Sequence, residues 1–233
     1  MPAESLHEVR FPNESRPYRE ARNELLIAER DLRRQIERVA ASRRALPLGG
    51  EVREDYVFEE VGRLSAAAPS AEPVKFSNLF GGKQTLIAYS FMYGPEMKAA
   101  CPSCTSILDG LDGESQHVNQ RASFIVIAKS PPARIFNHAR ARGWTDLRLL
   151  SSANNKYNAD YYGENAKGEQ QPALNVFARR DGKIFHTYCT ELMFISGDPG
   201  QDPRHVDLIW PLWHLLDVTP EGRGTDWRPK LKY

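Results

Sequence analysis

Residues 86–105 read Leu-Ile-Ala-Tyr-Ser-Phe-Met-Tyr-Gly-Pro-Glu-Met-Lys-Ala-Ala-Cys-Pro-Ser-Cys-Thr. The first part predicts a buried strand, because Leu86, Ile87, Ala88, Tyr89, Phe91 and Met92 are apolar or aromatic with only Ser90 between them. Tyr93-Gly94-Pro95 turns the chain. Cys101-Pro102-Ser103-Cys104 then stands where a helix can begin, since proline is tolerated at the first helical position, where its missing N–H would have had no partner. Two cysteines three apart on a first helical turn share a face and are close enough to form a disulfide. The unpaired N–H groups and the positive dipole end of the helix favour a thiolate on the leading sulfur. Cys101 is thus a candidate attacking thiolate and Cys104 a candidate resolving thiol.

The same four residues admit two other readings. Cysteine packs as a small buried side chain, so the pair can be inert. Cys-x-x-Cys is also the commonest half of a zinc site. No second Cys-x-x-Cys or His-x-x-x-His is present, and His186 with Cys189 would complete a ligand set only if the fold brought them over.

Working outward, 233 residues suit one domain with an extension, or two small domains. A formal charge of +1 argues against a partner such as nucleic acid or an acidic membrane. Nothing approaches the roughly 20 apolar residues that span a bilayer. The start, Met-Pro-Ala-Glu-Ser-Leu-His-Glu, lacks a basic segment followed by an apolar run, and three cysteines are too few for a disulfide scaffold. A cytoplasmic location is expected. No Gly-x-Gly-x-x-Gly follows a strand, and Gly81-Gly82-Lys83 lacks the upstream glycine of a phosphate loop, so no cofactor is expected.

Residues 1–50 read as a helical arm. From Pro17 to Leu46, Tyr18, Ala21, Leu25, Ala28, Leu32, Ile36 and Val39 recur at steps of three or four, a narrow apolar seam. Such a helix either lies along its own domain or packs on a second copy of the chain, giving a homodimer. Its arginines are interleaved with acids, which fits a solvated face better than a nucleic-acid surface.

Residues 51–218 form the main domain, and 219–233 a polar tail. Short strands are predicted at Tyr56–Phe58 and Val74–Phe76, and a second buried strand at Phe124–Ala128. Ser130 is placed to cap a helix that runs to Arg142 and stops at Gly143. Leu147–Leu150 marks a third strand, and the polar segment 152–171 a surface insertion. Arg180-Asp181-Gly182 turns a hairpin between Ala173–Ala178 and Lys183–Cys189. Strict alternation sets His186 and Tyr188 on one face of the second hairpin strand, Thr187 and Cys189 on the other. His186 reads as a structural residue or a proton carrier, and Cys189 as a buried small residue or a resolving thiol. A helix at Val206–Leu216 is expected to kink at Pro211. Alternating strands and helices followed by a hairpin predict a mainly parallel sheet with helices on its faces. A Cys-x-x-Cys beside a strand in such a unit is a thioredoxin-like redox motif.

Several segments resemble a known family: Leu25-Leu26-x-Ala28-Glu29, Arg43-Arg44-Ala45-Leu46-Pro47, Phe91-Met92-Tyr93-Gly94-Pro95, Cys101-Pro102-Ser103-Cys104, Gly143-Trp144 and Arg180 to Tyr188. They are similar to a bacterial domain-of-unknown-function family described as predicted dithiol–disulfide oxidoreductases. The similarity spans about residue 20 to 222. It implies a thioredoxin-like α/β fold of the peroxiredoxin-like kind, a three-layer sandwich with a long N-terminal helical extension. It further implies thiol–disulfide exchange with a protein or small-molecule thiol or disulfide. In the wider superfamily a cis-proline before the fourth core strand faces the cysteines, so Pro172 is the third expected site residue, with a cis Gln171–Pro172 bond beside Cys101. Two departures bear on redox potential and partner choice: Ala100 replaces the tryptophan of thioredoxins, and the proline follows Cys101 directly. Lys98 stands where a peroxiredoxin needs threonine, so peroxide reduction is not expected. The reading from a different class is a non-catalytic thioredoxin-like binding or assembly module.

Overall fold

The computed structural model describes residues 5–198 and 204–233, and the chain divides into two compact units, 1–47 and 48–233. In the first, Ser15 starts helix α1 (Arg16–Arg44) by accepting the Tyr18 N–H on its side chain. Arg43 and Arg44 lie in the last turn, where positive charge meets the negative end of the dipole. Of the seam, Tyr18, Leu25, Leu32, Ile36 and Val39 are exposed. No helix among the described residues is long and apolar enough to cross a membrane.

The second unit is built on a seven-stranded sheet. Its elements are β1 (Val57–Val61), β2 (Ala71–Lys75), β3 (Thr85–Ser90), α2 (Pro102–Val118), β4 (Ser123–Ala128), α3 (Pro132–Arg142), β5 (Leu149–Ser151), α4 (Tyr157–Asp160), β6 (Leu174–Arg180), β7 (Lys183–Cys189) and α5 (Pro211–Asp217). The strand order is β2-β1-β5-β4-β3-β6-β7. β3, β4 and β5 are parallel; β1, β2, β6 and β7 extend the sheet antiparallel. Because β3, β4 and β5 step in one direction and such crossovers are right-handed, α2 and α3 must cover the same face. They do: Ile107 and Leu108 of α2, Ile135 and Phe136 of α3, and Trp144, Trp210 and Trp213 share one core with Tyr89, Phe124 and Val126.

The opposite face is closed by a 3₁₀ turn at Phe76–Phe80 and by α4. There Phe58, Phe76, Phe80 and Tyr157 pack on Leu86, Ala88, Ile125, Ile127 and Phe177. All six residues of β4 are buried, as a parallel strand covered on both faces should be. This is a thioredoxin-like, peroxiredoxin-like α/β fold with a long N-terminal helix.

Several local expectations are corrected. Pro131, not Ser130, caps α3; the Ser130 hydroxyl donates instead to Gly94 O across 3.3 Å. Pro211 is the first residue of α5 rather than a kink within it, because a separate 3₁₀ turn at Asp207–Ile209 precedes it. Segment 152–171 is not wholly a surface loop: Tyr157, Asn158, Glu164 and Gln170 are buried. In the hairpin, Asp181 and Gly182 both take positive φ, as a primed two-residue turn demands. A β-bulge lies further along: Phe177 pairs with His186 but Val176 with Tyr188, leaving Thr187 extra. The bulge shifts the alternation by one residue, so His186 and Cys189 come to the same face.

Candidate active site

β3 delivers the chain to the site along a closed hydrogen-bond path. Ser90 N–H donates to Ala173 O (2.8 Å), Phe91 N–H to Ile127 O (2.7 Å), and Cys101 N–H back to Met92 O (3.0 Å). Between them, residues 93–97 are clamped from α3. The Arg134 guanidinium donates to Pro95 O (2.9 Å) and Met97 O (2.6 Å) and lies over the Tyr93 ring at 4.5 Å. A Cβ at Gly94 would meet Gln170 Cγ at 3.0 Å, so a larger residue here would push on the buried Gln170 side chain.

Cys101 is the N-cap of α2, with extended φ and ψ, and Pro102 is the first helical residue. The Thr105 hydroxyl donates to Cys101 O (2.9 Å) and meets His138 Nε2 (3.2 Å), whose ring sits among Phe91, Tyr93 and Trp144. Burial pushes the His138 pKa down, with Arg142 adding to the effect. These contacts hold the first turn of α2 in place against the sheet.

The two thiols are free and unequal: Cys101 is half-buried, whereas Cys104 is 1% exposed. The Cys101 thiol is lowered to about 6, chiefly by a hydrogen bond from Cys104, with further help from the Cys104 and Ser103 N–H groups and against the opposing effect of burial. Burial pushes the Cys104 thiol well up. The Tyr89 hydroxyl is fully buried and has no hydrogen-bond partner of good geometry, yet it lies near enough to Cys104 for the two groups to shift each other's ionisation, Cys104 raising the Tyr89 pKa and Tyr89 lowering that of Cys104. The leading sulfur is therefore partly exposed and acidified, and the second is a sequestered thiol one turn deeper.

Pro172 lies at the same end of the sheet, just before β6, whose first residues pair with the last of β3. The expected cis bond is corrected: no cis peptide bond occurs among the described residues, so Gln171–Pro172 is trans. The chain reaches this point through a buried polar network instead. Lys129 pairs with Glu164 (2.5 Å), Gln170 donates to Glu164 (3.3 Å), Asn158 to Gln170 (3.3 Å), and Ser152 to Asn158 (2.7 Å). That network anchors the 152–171 segment beside Gly94, so the approach to β6 needs no cis bond to be held.

His186 and Cys189 do not join the pair. Leu174 shares a core with Cys104, Asn175 faces the other way, and Cys189 pairs with Asn175. The third thiol thus lies on the opposite face of the sheet. Among the described residues no three histidine, cysteine or acidic side chains converge on one point, so the ligand set for zinc at Cys101 and Cys104 is not assembled. Tyr89, Thr105, Arg134 and His138 escaped the sequence reading, being ordinary core or helix residues until the fold brings them together. Only the position of Tyr89 in the strand leading to the pair carried a signal.

No curated protein matches the sequence. Among solved structures, the peroxidoxin BcpB of Mycobacterium tuberculosis aligns over 71% of this chain and 95% of its own, at 18% identity and a TM-score of 0.44. The 1-Cys peroxiredoxin (antioxidant protein) of Plasmodium falciparum covers 72% and 98%, at 12% identity and 0.47. The exposed lipoprotein thioredoxin Etrx1 of Streptococcus pneumoniae covers 68% and 99%, at 10% identity and 0.40. With every one of these scores below one half, the fold assignment rests on the strand order and crossovers described above. Residues 8–233 match the family described as "Bacterial protein of unknown function (DUF899)", and the chain belongs to that family.

Proposed function

We propose that the protein is a thiol–disulfide oxidoreductase acting through Cys101 and Cys104. The observation that carries this reading is the asymmetry of the pair: an accessible, acidified sulfur at a helix start over a buried, protonated one. The Cys101 thiolate attacks one sulfur of a substrate disulfide, forming a mixed disulfide and expelling the other sulfur as a thiolate that takes a proton from water. Cys104 then attacks the Cys101 sulfur, closing the intramolecular disulfide and releasing the second substrate thiol, which carries away the Cys104 proton. The substrate gains two electrons and the pair loses two. A hydrogen bond from the Tyr89 hydroxyl stabilises the Cys104 thiolate as it forms.

The test uses the reduced protein and Ellman's disulfide. Wild type is expected to release two equivalents of thiolate and end with a Cys101–Cys104 bond. Cys104→Ser stops after one equivalent with the reagent trapped on Cys101, and Tyr89→Phe completes both steps with the second slowed about tenfold. A wild type that stops at one equivalent, or whose adduct maps elsewhere, sinks the oxidoreductase reading.

For α1 we propose self-association. Its exposed apolar seam of Leu25, Leu32 and Ile36 suits packing on a second copy. Sedimentation should show a dimer for the full chain and a monomer or an insoluble product once residues 1–46 are removed; a monomeric full chain at high concentration ends the idea.

A further inference from the structure

The sheet face opposite the cysteine pair carries a cleft of about 420 Å³ between β6, β7 and the segment around α4, near the lower end of the range for small-molecule sites. Its floor is polar but uncharged. His186 Nε2 meets Asn175 Oδ1 at 2.9 Å, and Asn175 Nδ2 donates to Tyr161 O at 3.1 Å. Burial holds His186 towards its neutral form and pushes the Cys189 thiol up. The walls are aromatic. The Tyr161 ring lies 5.4 Å from His186, while Tyr162 and Phe194 meet edge to face at 5.2 Å and are 56% and 54% exposed at the rim.

Two carboxylates complete the lining. Asp160 accepts from the Tyr56 hydroxyl (2.7 Å), and the Glu191 charge is felt by both His186 and Cys189. No lysine or arginine lines the cleft, and among the described residues neither acid takes part in an ion pair. An anion entering here meets like charge. A neutral apolar molecule would strip water from two carboxylates and return nothing for it. A cation meets both the carboxylates and the electron-rich ring faces.

We propose that this cleft binds a small organic cation, an ammonium or guanidinium group on a compact aromatic or aliphatic body. The site is separate from the cysteine chemistry and does not depend on it, because the two lie on opposite faces of the sheet. Nothing in the residue order announces it: the bulge at Thr187 brings His186 and Cys189 to one face, and the 152–171 segment supplies the opposite wall.

The test is calorimetric titration of the full chain at neutral pH with benzyltrimethylammonium, and with phenylacetate as the anionic counterpart of similar size. The expected result is one saturable site for the cation with a Kd below about 1 mM and no saturable binding of phenylacetate. Glu191→Gln, which removes charge, and Phe194→Ala, which removes an exposed ring, should each weaken the cation at least about fivefold. Both replace surface side chains, and the Cys101 titration on the other face reports whether each variant is folded. Failure to saturate below about 10 mM, equal affinity for phenylacetate, or unchanged affinity in either variant overturns the proposal.

Discussion

Alkylation of Cys101 by iodoacetamide should titrate with a midpoint of about 6, far below that of an ordinary thiol. The pH profile, not the rate at neutral pH, carries the information. At pH 7 such a thiol is about nine-tenths ionised against about 3% for a free cysteine, a roughly thirtyfold gain. A thiolate of lower pKa is also less nucleophilic, and a Brønsted slope near 0.45 over about 2.5 units removes roughly a factor of 13. The net advantage at pH 7 is only about twofold, whereas at pH 5.5 it is about twentyfold. Cys104→Ala should raise the midpoint by about one unit or more, since a hydrogen bond to a charged group contributes about 1.5–3 kcal/mol and one unit is 1.36.

The stability consequence has a definite sign. The folded Cys101 pKa lies below the ordinary thiol value it has when unfolded, so its contribution to the reduced protein is full above that ordinary value and lost as pH falls through about 6. Cys104, with a raised pKa, contributes in the opposite sense only once pH passes the ordinary thiol range. Between pH 6 and 8 the melting temperature of the reduced wild type should therefore climb relative to Cys101→Ser. Parallel melting curves for the two proteins, together with a midpoint near the ordinary thiol value, would remove the acidified nucleophile.

Lys129→Ala should destabilise the second unit by about 3 kcal/mol, the low end of the cost of stranding one member of a buried ion pair. The low end applies because the Lys129 side chain is 27% exposed and only Glu164, at 10%, is deeply buried. For a unit of this size that loss lowers Tm by roughly 6–12 °C. The double replacement Lys129→Met, Glu164→Leu removes both charges and should recover most of it, since a well-packed apolar pair is often as stable as the ion pair it replaces. Thermal unfolding of wild type, Lys129→Ala and the double variant makes the comparison. A single-mutant loss below about 1 kcal/mol would show that the pair does not anchor the segment beside Gly94.

Much of the architecture was legible because it depends on local periodicity. The apolar runs at 86–92 and 124–128, the primed turn at Asp181-Gly182 and the helix start at Pro102 each carry their own short-range cause. Trp144, Trp210 and Trp213, large apolar side chains by type, are buried in the core. Where the reading failed, a longer-range contact had overridden a local preference. Gly110 and Gly113, helix-weakening by type, are nevertheless carried inside α2, because Ile107 and Leu108 are buried in the core and outweigh a glycine cost of roughly 1 kcal/mol each. Ser130, a good cap by type, is drawn off by Gly94. The polar segment 152–171 looked like surface because its Asn, Glu and Gln residues are hydrophilic, yet they satisfy one another and can therefore be buried.

By itself, then, the sequence determined the parallel β3-α2-β4-α3-β5 core and the placing of Cys101 at a helix start, since hydrophobic period and helix-end chemistry are properties of neighbouring residues. Only the tertiary structure decided which sulfur is buried and that Tyr89 faces it. It also decided that the Gln171–Pro172 bond is trans and that Cys189 turns away from the pair to join His186. The physical reason is the same in each case. Burial, desolvation and a one-residue bulge depend on contacts between segments tens of residues apart, and those contacts have no counterpart in local spacing.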